Sequence, residues 1–401
     1  MTSEWHEVPL RELVGYISKG IAPSYAEEAS ETTIRVLNQK CNRNFRISYG
    51  DSRLHDTLKK KVPPERYVKP DDILINSTGA GTAGRIAQIE DVPSTTTIDG
   101  HMILIRSNGK VTQKFLGYAL KAHQWEVLQL DEGSTGQTEL NRDRLLDEIM
   151  INYPVSLDEQ NAIVGTLESI DRKLIVNEQL NDNLEQQAQS YFQELFVDNA
   201  DPEWTTGTIS DLGAVVGGST PSKAKPEYYT ESGIAWITPK DLSINKSKFA
   251  SHGENDITEL GLKNSSAVIM PEGTVLFSSR APIGYIAIAT GEVTTNQGFK
   301  SVVPKPEIGT PFVYFFLKNT LPVIEGMASG STFKEVSGST MKKVPAVIPD
   351  AETLAKFSNF CAPIFAQQRI LEEQNQSLAT LRDNLLPKLM SGEIDVSDVQ
   401  L

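Results

Sequence analysis

The amino-acid sequence predicts an α+β protein built from two tandem strand-rich modules, each followed by one long helix. Three observations support this fold class. The first half of the chain reappears in the same order about 200 residues later. Each half opens with short runs of Val, Ile, Leu and Thr interrupted by Gly, Pro, Asn and Asp, which is typical of strands joined by turns. Each half closes with a stretch poor in Gly and Pro that has helical spacing.

Six short segments recur with the same order and nearly the same spacing. Trp5–Leu13 (W-x4-L-x-E-L) returns as Trp204–Leu212 (W-x4-I-x-D-L), and all six pairs lie 197 to 201 residues apart. One match could arise by chance, whereas six in order indicate a duplication. The other pairs are Gly20–Ser24 with Gly218–Ser222, Ile34–Lys40 with Ile234–Lys240, Pro70–Ile75 with Pro271–Leu276, Gly84–Ala87 with Gly284–Ala287, and Gly133–Thr135 with Gly330–Thr332.

Strand and short-helix candidates occur at matching places in the two modules. Apolar runs bounded by turn residues predict strands. Each module also contains one apolar stretch that predicts a short helix, Lys114–Lys121 in the first and Pro311–Lys318 in the second. The strand candidates are Ile73–Asn76, Ile86–Ile89, Met102–Ile105, Val275–Ser278, Tyr285–Ala289 and Ser301–Val303.

Two heptad seams predict the long helices. Mostly apolar residues alternate by four and three from Ile163 to Leu195 and again from Phe357 to Leu389. Asn177 and Asn181 interrupt the first seam, and the second seam contains Gln368, Asn375 and Arg382. Asp158 and Asp350 are candidate N-caps, and Gly392 ends the second helix. Two seams in one chain predict an intramolecular coiled coil, a rod of roughly 50 Å. The alternative is two independent amphipathic helices, each lying on its own module.

These patterns divide the chain into a module at residues 1–155, a helix at 156–198, a second module at 199–348 and a second helix at 349–392. Charge is distributed unevenly over these parts. The net charge is −14, yet residues 35–69 contain ten basic and three acidic residues. Residues 156–201 contain ten acidic residues and two basic ones. A surface for a polyanion can therefore coexist with an acidic helix, which is either a solvated face or a surface for a protein partner.

Other features argue against catalysis. Gly79–Gly84 satisfies G-x-G-x-x-G, but strand-like alternation follows it where a nucleotide site needs a helix, so we interpret it as a turn between strands. The five histidines lack metal-ligand spacing, and we expect no cofactor. The two cysteines lie in unrelated contexts, and neither a signal peptide nor a membrane-spanning run is evident, which predicts a cytoplasmic protein.

The residues best suited to contact phosphates or base edges are basic or hydrogen-bonding side chains on predicted turns. A solvated surface loop is the alternative for the basic segment, and an ordinary turn for the glycine-rich segments. The candidates are Lys40, Arg43, Arg46, Lys59, Lys60, Lys61, Thr78, Arg85, Thr135 and Gln137 in the first module, and Lys240, Arg280, Ser331 and Lys334 in the second.

The segment Leu381–Ile394 resembles the end of the specificity subunits of type I restriction–modification enzymes. Asn296–Ser301, Gly330–Glu335 and Asp99–Leu104 resemble parts of their target-recognition domains. The order of module, helix, module and helix is also that of the family, so the resemblance covers nearly the whole chain.

This resemblance implies a non-catalytic subunit with two target-recognition domains, each reading one half of a split sequence in double-stranded DNA. It further implies two helices packed antiparallel as a spacer, whose length sets the gap between the half-sites. Two adenine-N6 methyltransferase (modification) subunits, which bind S-adenosylmethionine, would dock on this subunit, and ATP-dependent restriction subunits can join them. One alternative is an equivalent subunit of a system in which cleavage and methylation share one polypeptide. Another is a stand-alone nuclease with a divergent site.

Overall fold

The computed structural model describes residues 4–132, 139–330, 334–396 and 399. They form two units, of which unit 1 comprises Met1–Leu174 and Leu378–Leu401, and unit 2 comprises Ile175–Ser377. The two boundaries between these units each fall inside one of the long helices. Each unit therefore contains one strand-rich module together with a portion of each long helix.

Unit 1 contains two four-stranded sheets. In spatial order, the first sheet consists of Val14–Lys19, Met102–Ser107, Ile73–Asn76 and Ile86–Gln88, and the second of Thr96–Ile98, Thr33–Leu37, Arg53–Asp56 and Tyr25–Ala26. Three two-stranded pairs are Trp5–Pro9 with Met150–Pro154, Asn42–Arg43 with Arg46–Ile47, and Asp131–Glu132 with Glu139–Leu140. The helices of the module are Gln113–Ala122, Gln124–Leu128 and Arg142–Glu148, with 3-10 turns at Leu10–Glu12, Gln39–Cys41 and Pro64–Arg66.

The central strands of unit 1 are apolar at successive positions because both of their faces are buried. Ile73 and Ile75 point into a core shared with the helix Gln113–Ala122. Leu74, between them, belongs to a second apolar cluster on the other face of the sheet, together with Leu37 of the second sheet. The I-L-I run therefore forms a middle layer between a helix and a sheet.

Unit 2 contains a five-stranded sheet. In spatial order its strands are Gly213–Gly217, Lys300–Pro304, Val275–Ser279, Ile283–Ala289 and Phe249–Ala250. Three two-stranded pairs are Thr205–Thr208 with Pro345–Ile348, Tyr229–Thr230 with Asp256–Ile257, and Trp236–Ile237 with Thr294–Thr295. The helices of the module are Ile209–Leu212, Pro239–Ile244, Glu259–Lys263, Thr310–Gly326 and Gly338–Lys342, with a 3-10 turn at Pro226–Tyr228.

The duplication predicted from sequence is visible in the strand pairing. In unit 1, Thr96–Ile98 runs parallel to Arg35–Leu37. In unit 2, Thr294–Thr295 runs parallel to Trp236–Ile237. The predicted strands are all found, with ends that differ by at most two residues. The second short helix is longer than predicted, because it continues through Pro322 to Gly326.

The first long helix is Leu157–Gln193, followed by a π-helical turn at Glu194–Asp198, and the second is Ala351–Ser391. In unit 1, Arg382 donates to Asp171, and Ile163 shares a core with Leu389. The two long helices therefore run antiparallel within unit 1.

The two long helices run antiparallel within unit 2 as well. Asn177 Nδ2 donates to Asn375 Oδ1 at 2.9 Å, while Phe192 stacks edge-on against Phe357. An antiparallel helix pair is therefore confirmed within each unit, and the alternative of two independent helices is wrong.

One predicted cap is also wrong. The first helix begins after Ser156, whose hydroxyl accepts the N–H of Glu159, and Asp158 lies inside the first turn. Asp350 caps the second helix as predicted, since its carboxylate accepts the N–H of Thr353 at 2.8 Å. Gly392, with φ of 76°, follows the last helical residue.

Candidate nucleic-acid interface

The fold divides the basic segment of residues 35–69 into two groups. The strand Arg53–Asp56 lies between them and pairs antiparallel with Thr33–Leu37. The three lysines Lys59–Lys61 follow the last residue of this strand, whereas Arg43 lies 4.0 Å from Asp51, just before its first residue. Residues that are close in the sequence are therefore carried to opposite ends of a strand.

The lysine group is exposed at a turn that hydrogen bonds hold in place. The ring nitrogen Nε2 of His55, a fully buried residue, lies 2.8 Å from the carbonyl oxygen of Lys60. Lys60 Nζ donates to the carbonyl of Ala22 at 2.9 Å, and Lys59 Nζ lies 3.8 Å from a carboxylate oxygen of Asp56. All three lysines are exposed, so a phosphate can reach this turn.

The arginine group is formed by a tight hairpin. Asn44 and Phe45 have φ values of 52° and 61°, as a type I′ turn requires. The hairpin places Arg43 directly opposite Arg46. Two guanidinium groups are thus brought to one hairpin, which gives it a local positive charge that suits an anionic partner.

Buried amide groups fix this hairpin against the glycine-rich turn. Asn42, which is 1% exposed, donates to Asn76 Oδ1 at 3.2 Å and to the carbonyl of Arg85 at 2.8 Å. Asn76 in turn donates to the carbonyl of Gln39 at 3.1 Å. Lys40, next to Gln39, is thereby held in the same loop cluster as Arg85.

The glycine-rich segment is a turn between the strands Ile73–Asn76 and Ile86–Gln88, as predicted. Gly79, Gly81 and Gly84 all have positive φ. A Cβ on Gly84 would lie 2.9 Å from the carbonyl oxygen of Val127. The two backbone segments are therefore too close at this position for a residue with a side chain. The chain continues as a strand, and the helix N-terminus that a pyrophosphate site requires is not formed by this segment.

Next to this turn, a short hydrogen-bonded framework closes one end of the first module. Ser77 donates its N–H to the carbonyl of His101 at 2.8 Å and accepts the N–H of Leu140 at 2.8 Å. Asp99 Oδ1 accepts the N–H of His101 at 2.9 Å. Burial raises the pKa of Asp99. Thr78, beside Ser77, hydrogen-bonds through its hydroxyl to His101 Nδ1 at 2.7 Å.

The second module repeats three of these four hydrogen bonds. Ser279 donates its N–H to the carbonyl of Gly298 at 2.7 Å and accepts the N–H of Val336 at 3.0 Å. Asn296 Oδ1 accepts the N–H of Gly298 at 2.8 Å, as Asp99 does in the first module. The residue that occupies the place of Thr78 is Arg280.

Arg280 and Lys334 line a cleft in unit 2 with a volume of about 590 Å³, together with Ala281–Ile283, Glu325 and Glu335. The guanidinium of Arg280 lies 3.5 Å from a carboxylate oxygen of Glu335. Lys300 Nζ lies 3.8 Å from the other oxygen of that carboxylate. Burial, only partly offset by Glu335, lowers the pKa of Lys300. Two cations, Arg280 and Lys300, therefore lie within 4 Å of the Glu335 carboxylate. Lys334 and Glu325 add one charge of each sign to the lining of the cleft.

Lys240 is not among the residues that line this cleft. It lies on the helix Pro239–Ile244, where its ammonium group is 2.6 Å from Glu254. Thr135, Gln137 and Ser331 lie outside the described residues.

Sequence reasoning missed several polar residues of the two frameworks. Alignment of the two halves could have found them, since Asp99 and Asn296 are 197 residues apart and Glu139 and Glu335 are 196 apart. The missed residues are Lys19, Gln39, His101, Glu139, Asn296, Lys300 and Glu335.

Comparison with known proteins identifies the family. The family described as "Type I restriction modification DNA specificity domain" matches residues 2–186 and again residues 202–382. The chain belongs to this family.

Relatives with a described function match part of the chain. The "Type I restriction enzyme MjaIX specificity subunit" of Methanocaldococcus jannaschii is 41% identical over 42% of this chain and 39% of its own length. The "Type I restriction enzyme HindI specificity subunit" of Haemophilus influenzae is 28% identical over 48% of this chain and 42% of its own length. The chain thus spans about two fifths of the length of these relatives.

A solved structure supports the fold. The crystal structure of the type I restriction–modification S subunit from M. genitalium is 17% identical, covers 97% of this chain and 99% of its own, and superposes with a TM-score of 0.59. It confirms an architecture of two strand-rich modules and two long helices. In the part of the chain that the structure describes, no helix is long and apolar enough to cross a membrane.

Proposed function

We propose that this chain is the DNA-recognition subunit of a type I restriction–modification complex and that each module reads one half of a bipartite target. The observation that supports this most strongly is the repeated framework with different side chains mounted on it. Thr78 and Arg280 occupy the same place relative to the same hydrogen bonds, but a guanidinium prefers the O6 and N7 atoms of guanine, whereas a hydroxyl can contact several base edges. Two modules of one design can thus read two different half-sites.

The recognition modules in this proposal are residues 1–155 and 199–348, and the helices are residues 156–198 and 349–392. The cations of the lysine and arginine groups supply phosphate contacts, which position the duplex without reading it. Lys59–Lys61 and the facing pair of Arg43 and Arg46 have this role in the first module. Residues on the framework, with Thr78 and Arg85 in the first module and Arg280 and Lys334 in the second, contact base edges.

The methyl transfer and any cleavage belong to partner subunits in this proposal. The acidic first long helix, together with the second, docks two adenine-N6 methyltransferase subunits, and ATP-dependent restriction subunits join the complex through them. The chain itself does no chemistry on DNA. The names of the relatives, which call those proteins specificity subunits, support this division of labour.

Methylation-aware sequencing tests the proposal. The chain is co-expressed with the methyltransferase subunit of its own system in cells that lack other methylation, and the modified adenines are mapped. We expect a bipartite motif of two short specified halves and an unspecified gap. A chimera whose residues 199–348 come from another specificity subunit should change one half only. A contiguous motif, or methylation without this chain, would overturn the proposal.

A second experiment addresses the rival function, a stand-alone nuclease. The purified chain is incubated with plasmid DNA, Mg²⁺ and ATP, and the products are separated on a gel. The recognition proposal requires intact DNA, whereas cleavage by the chain alone, lost on substitution of its own residues, would establish the rival.

A further inference from the structure

Two glutamates, Glu139 and Glu335, occupy equivalent places in the two frameworks. Glu139 forms an antiparallel β-bridge with Thr78, and Glu335 forms one with Arg280. In both modules the next residue donates its N–H to the framework serine, Ser77 or Ser279. The backbone thus holds each glutamate beside the position where the two modules differ.

Each glutamate is paired with a cation, but the two cations come from different strands. In the first module, Lys19 forms an ion pair with Glu139. Lys19 faces Ile103 across its strand pair, while in the second module Lys300 faces Gly217 across the corresponding pair. The two modules thus supply the lysine from different strands, whereas the glutamate comes from equivalent positions. Such compensation indicates that the ion pair itself matters at this place, whichever strand supplies the cation.

We propose that Glu139 and Glu335 are positioning residues that set how strongly each module discriminates its half-site from unrelated DNA. This inference rests on the proposed function. A carboxylate at the binding surface repels phosphates, so it weakens the non-specific contacts that any DNA can make. It also orients the neighbouring cation, which leaves other donors free for a base edge.

Arg280 can contact Glu335 and a DNA base at the same time. A guanidinium has five N–H donors in a planar fork. Glu335 lies 3.5 Å from one terminal nitrogen, Nη1, and the remaining donors suffice for a bidentate contact with the O6 and N7 atoms of guanine. With Glu335 in place the arginine is held before DNA arrives, and less rotational freedom is lost on binding.

The side chains are accessible enough for this role without being free in solvent. The exposed fractions are 38% for Glu335, 37% for Arg280 and 14% for Lys300. Lys300 is additionally fixed by the carbonyl oxygens of Gln297 and Phe299, at 3.1 and 3.2 Å. The more exposed arginine is the group that can turn towards DNA, while the lysine keeps the carboxylate in place.

The substitution Glu335→Gln tests the proposal in the full chain, assembled with its methyltransferase subunit. Affinity for a duplex without the target should rise about two- to tenfold, the amount expected when an exposed like charge is removed. The plot of log affinity against log salt should steepen by about one counterion. Glu335→Asp, which keeps the charge, should restore the wild-type slope.

Selection of bound sequences from a random 40-base-pair library shows which half-site each glutamate affects. Glu335→Gln should relax the preferences in the half-site of the second module only, and Glu139→Gln those of the other half-site. Glu307→Gln, an exposed glutamate of the same unit, is the matched control. A wild-type complex without any sequence preference would refute the proposed function itself. A selective wild type in which Glu335→Gln behaves like Glu307→Gln would refute only the role of the glutamates.

Discussion

A buried ion cluster in unit 2 gives the sharpest prediction about stability. Lys248, whose side chain is 5% exposed, places Nζ 2.8 Å from Glu185 of the first long helix and 2.8 Å from Gln368 of the second. The other oxygen of Glu185 accepts hydrogen bonds from Lys318 and Tyr314. One carboxylate therefore joins the second module to the helix pair within this unit.

The substitution Glu185→Gln should destabilise unit 2 by about 3–5 kcal/mol, because it removes the ion-pair partner of a buried ammonium group. Lys248→Met should cost less, below about 2 kcal/mol, since the carboxylate keeps Lys318 and Tyr314 as partners. The double variant should be more stable than the sum of the two losses predicts, by up to about 3 kcal/mol. The asymmetry between the two single variants distinguishes this cluster from an ordinary surface pair.

The same cluster predicts a dependence on pH. Burial alone would raise the pKa of Glu185, but the neighbouring Lys248 and Lys318 lower it to about 2, from 4.5. A carboxylate with a lowered pKa contributes stability above its unfolded value and loses it as the pH falls towards the folded value. About 3 kcal/mol should therefore disappear between pH 4.5 and pH 2 in the wild type, and not in Glu185→Gln.

Hydrogen exchange monitored by mass spectrometry measures these effects locally. Peptides from residues 175–193 and 351–377 report on unit 2, and peptides from residues 70–107 of unit 1 serve as an internal reference. Glu307→Gln controls for the loss of an exposed negative charge. Equal losses for Glu185→Gln and Lys248→Met, or a loss no larger than in the control, would contradict the assignment of Glu185 as the shared partner.

Three further predictions follow from the described sites. Replacing Lys59–Lys61 with alanine should weaken specific and non-specific DNA binding alike and flatten the salt dependence by up to about three counterions; an unchanged slope in a filter-binding titration would leave them as solvated surface. Arg280→Ala should cost about 1–3 kcal/mol of discrimination in the second module's half-site, and a changed first half-site in the methylome would contradict the module assignment. Gly84→Ala should lower the thermal stability of unit 1 more than Gly81→Ala does, because both have positive φ but only Gly84 would place a Cβ against a backbone oxygen; equal melting temperatures would argue against that close approach.

Much of the fold was predictable because its signals are local or periodic. The heptad seams predicted the helix pair, and Asn177, inside the first seam, indeed meets Asn375 of the second. The helix beyond Pro322 was missed because a proline is a local signal for a helix end, whereas burial of Ile324 in the core depends on tertiary packing. The cap at Ser156 was missed for a simpler reason, since Asp158 is an equally good capping residue two positions later.

The candidate site was less predictable because its parts are joined by hydrogen bonds across long sequence separations. Nothing in the run of basic residues shows that Lys60 and Arg43 end at different ends of a strand, since that depends on strand pairing. The importance of Glu139 was hidden too, because an exposed glutamate is ordinary until its bridge to Thr78 is seen. Alignment of the two halves of the sequence was the one signal that could have identified Glu139.

Unit 1 is completed by segments that the ribosome makes far apart in time. Its core includes Leu386 and Leu389, and beyond them Ile394 and Val396 pack against the same cluster, while Gly392 approaches the indole of Trp5. Unit 2 is one continuous stretch of about 200 residues, made in between, which takes roughly 10 to 40 s at usual rates of synthesis. During that interval the first module is exposed to chaperones and proteases with part of its core missing. A chain truncated just after residue 377 would therefore contain all of unit 2 but only part of unit 1, and cellular quality control should act on the N-terminal part.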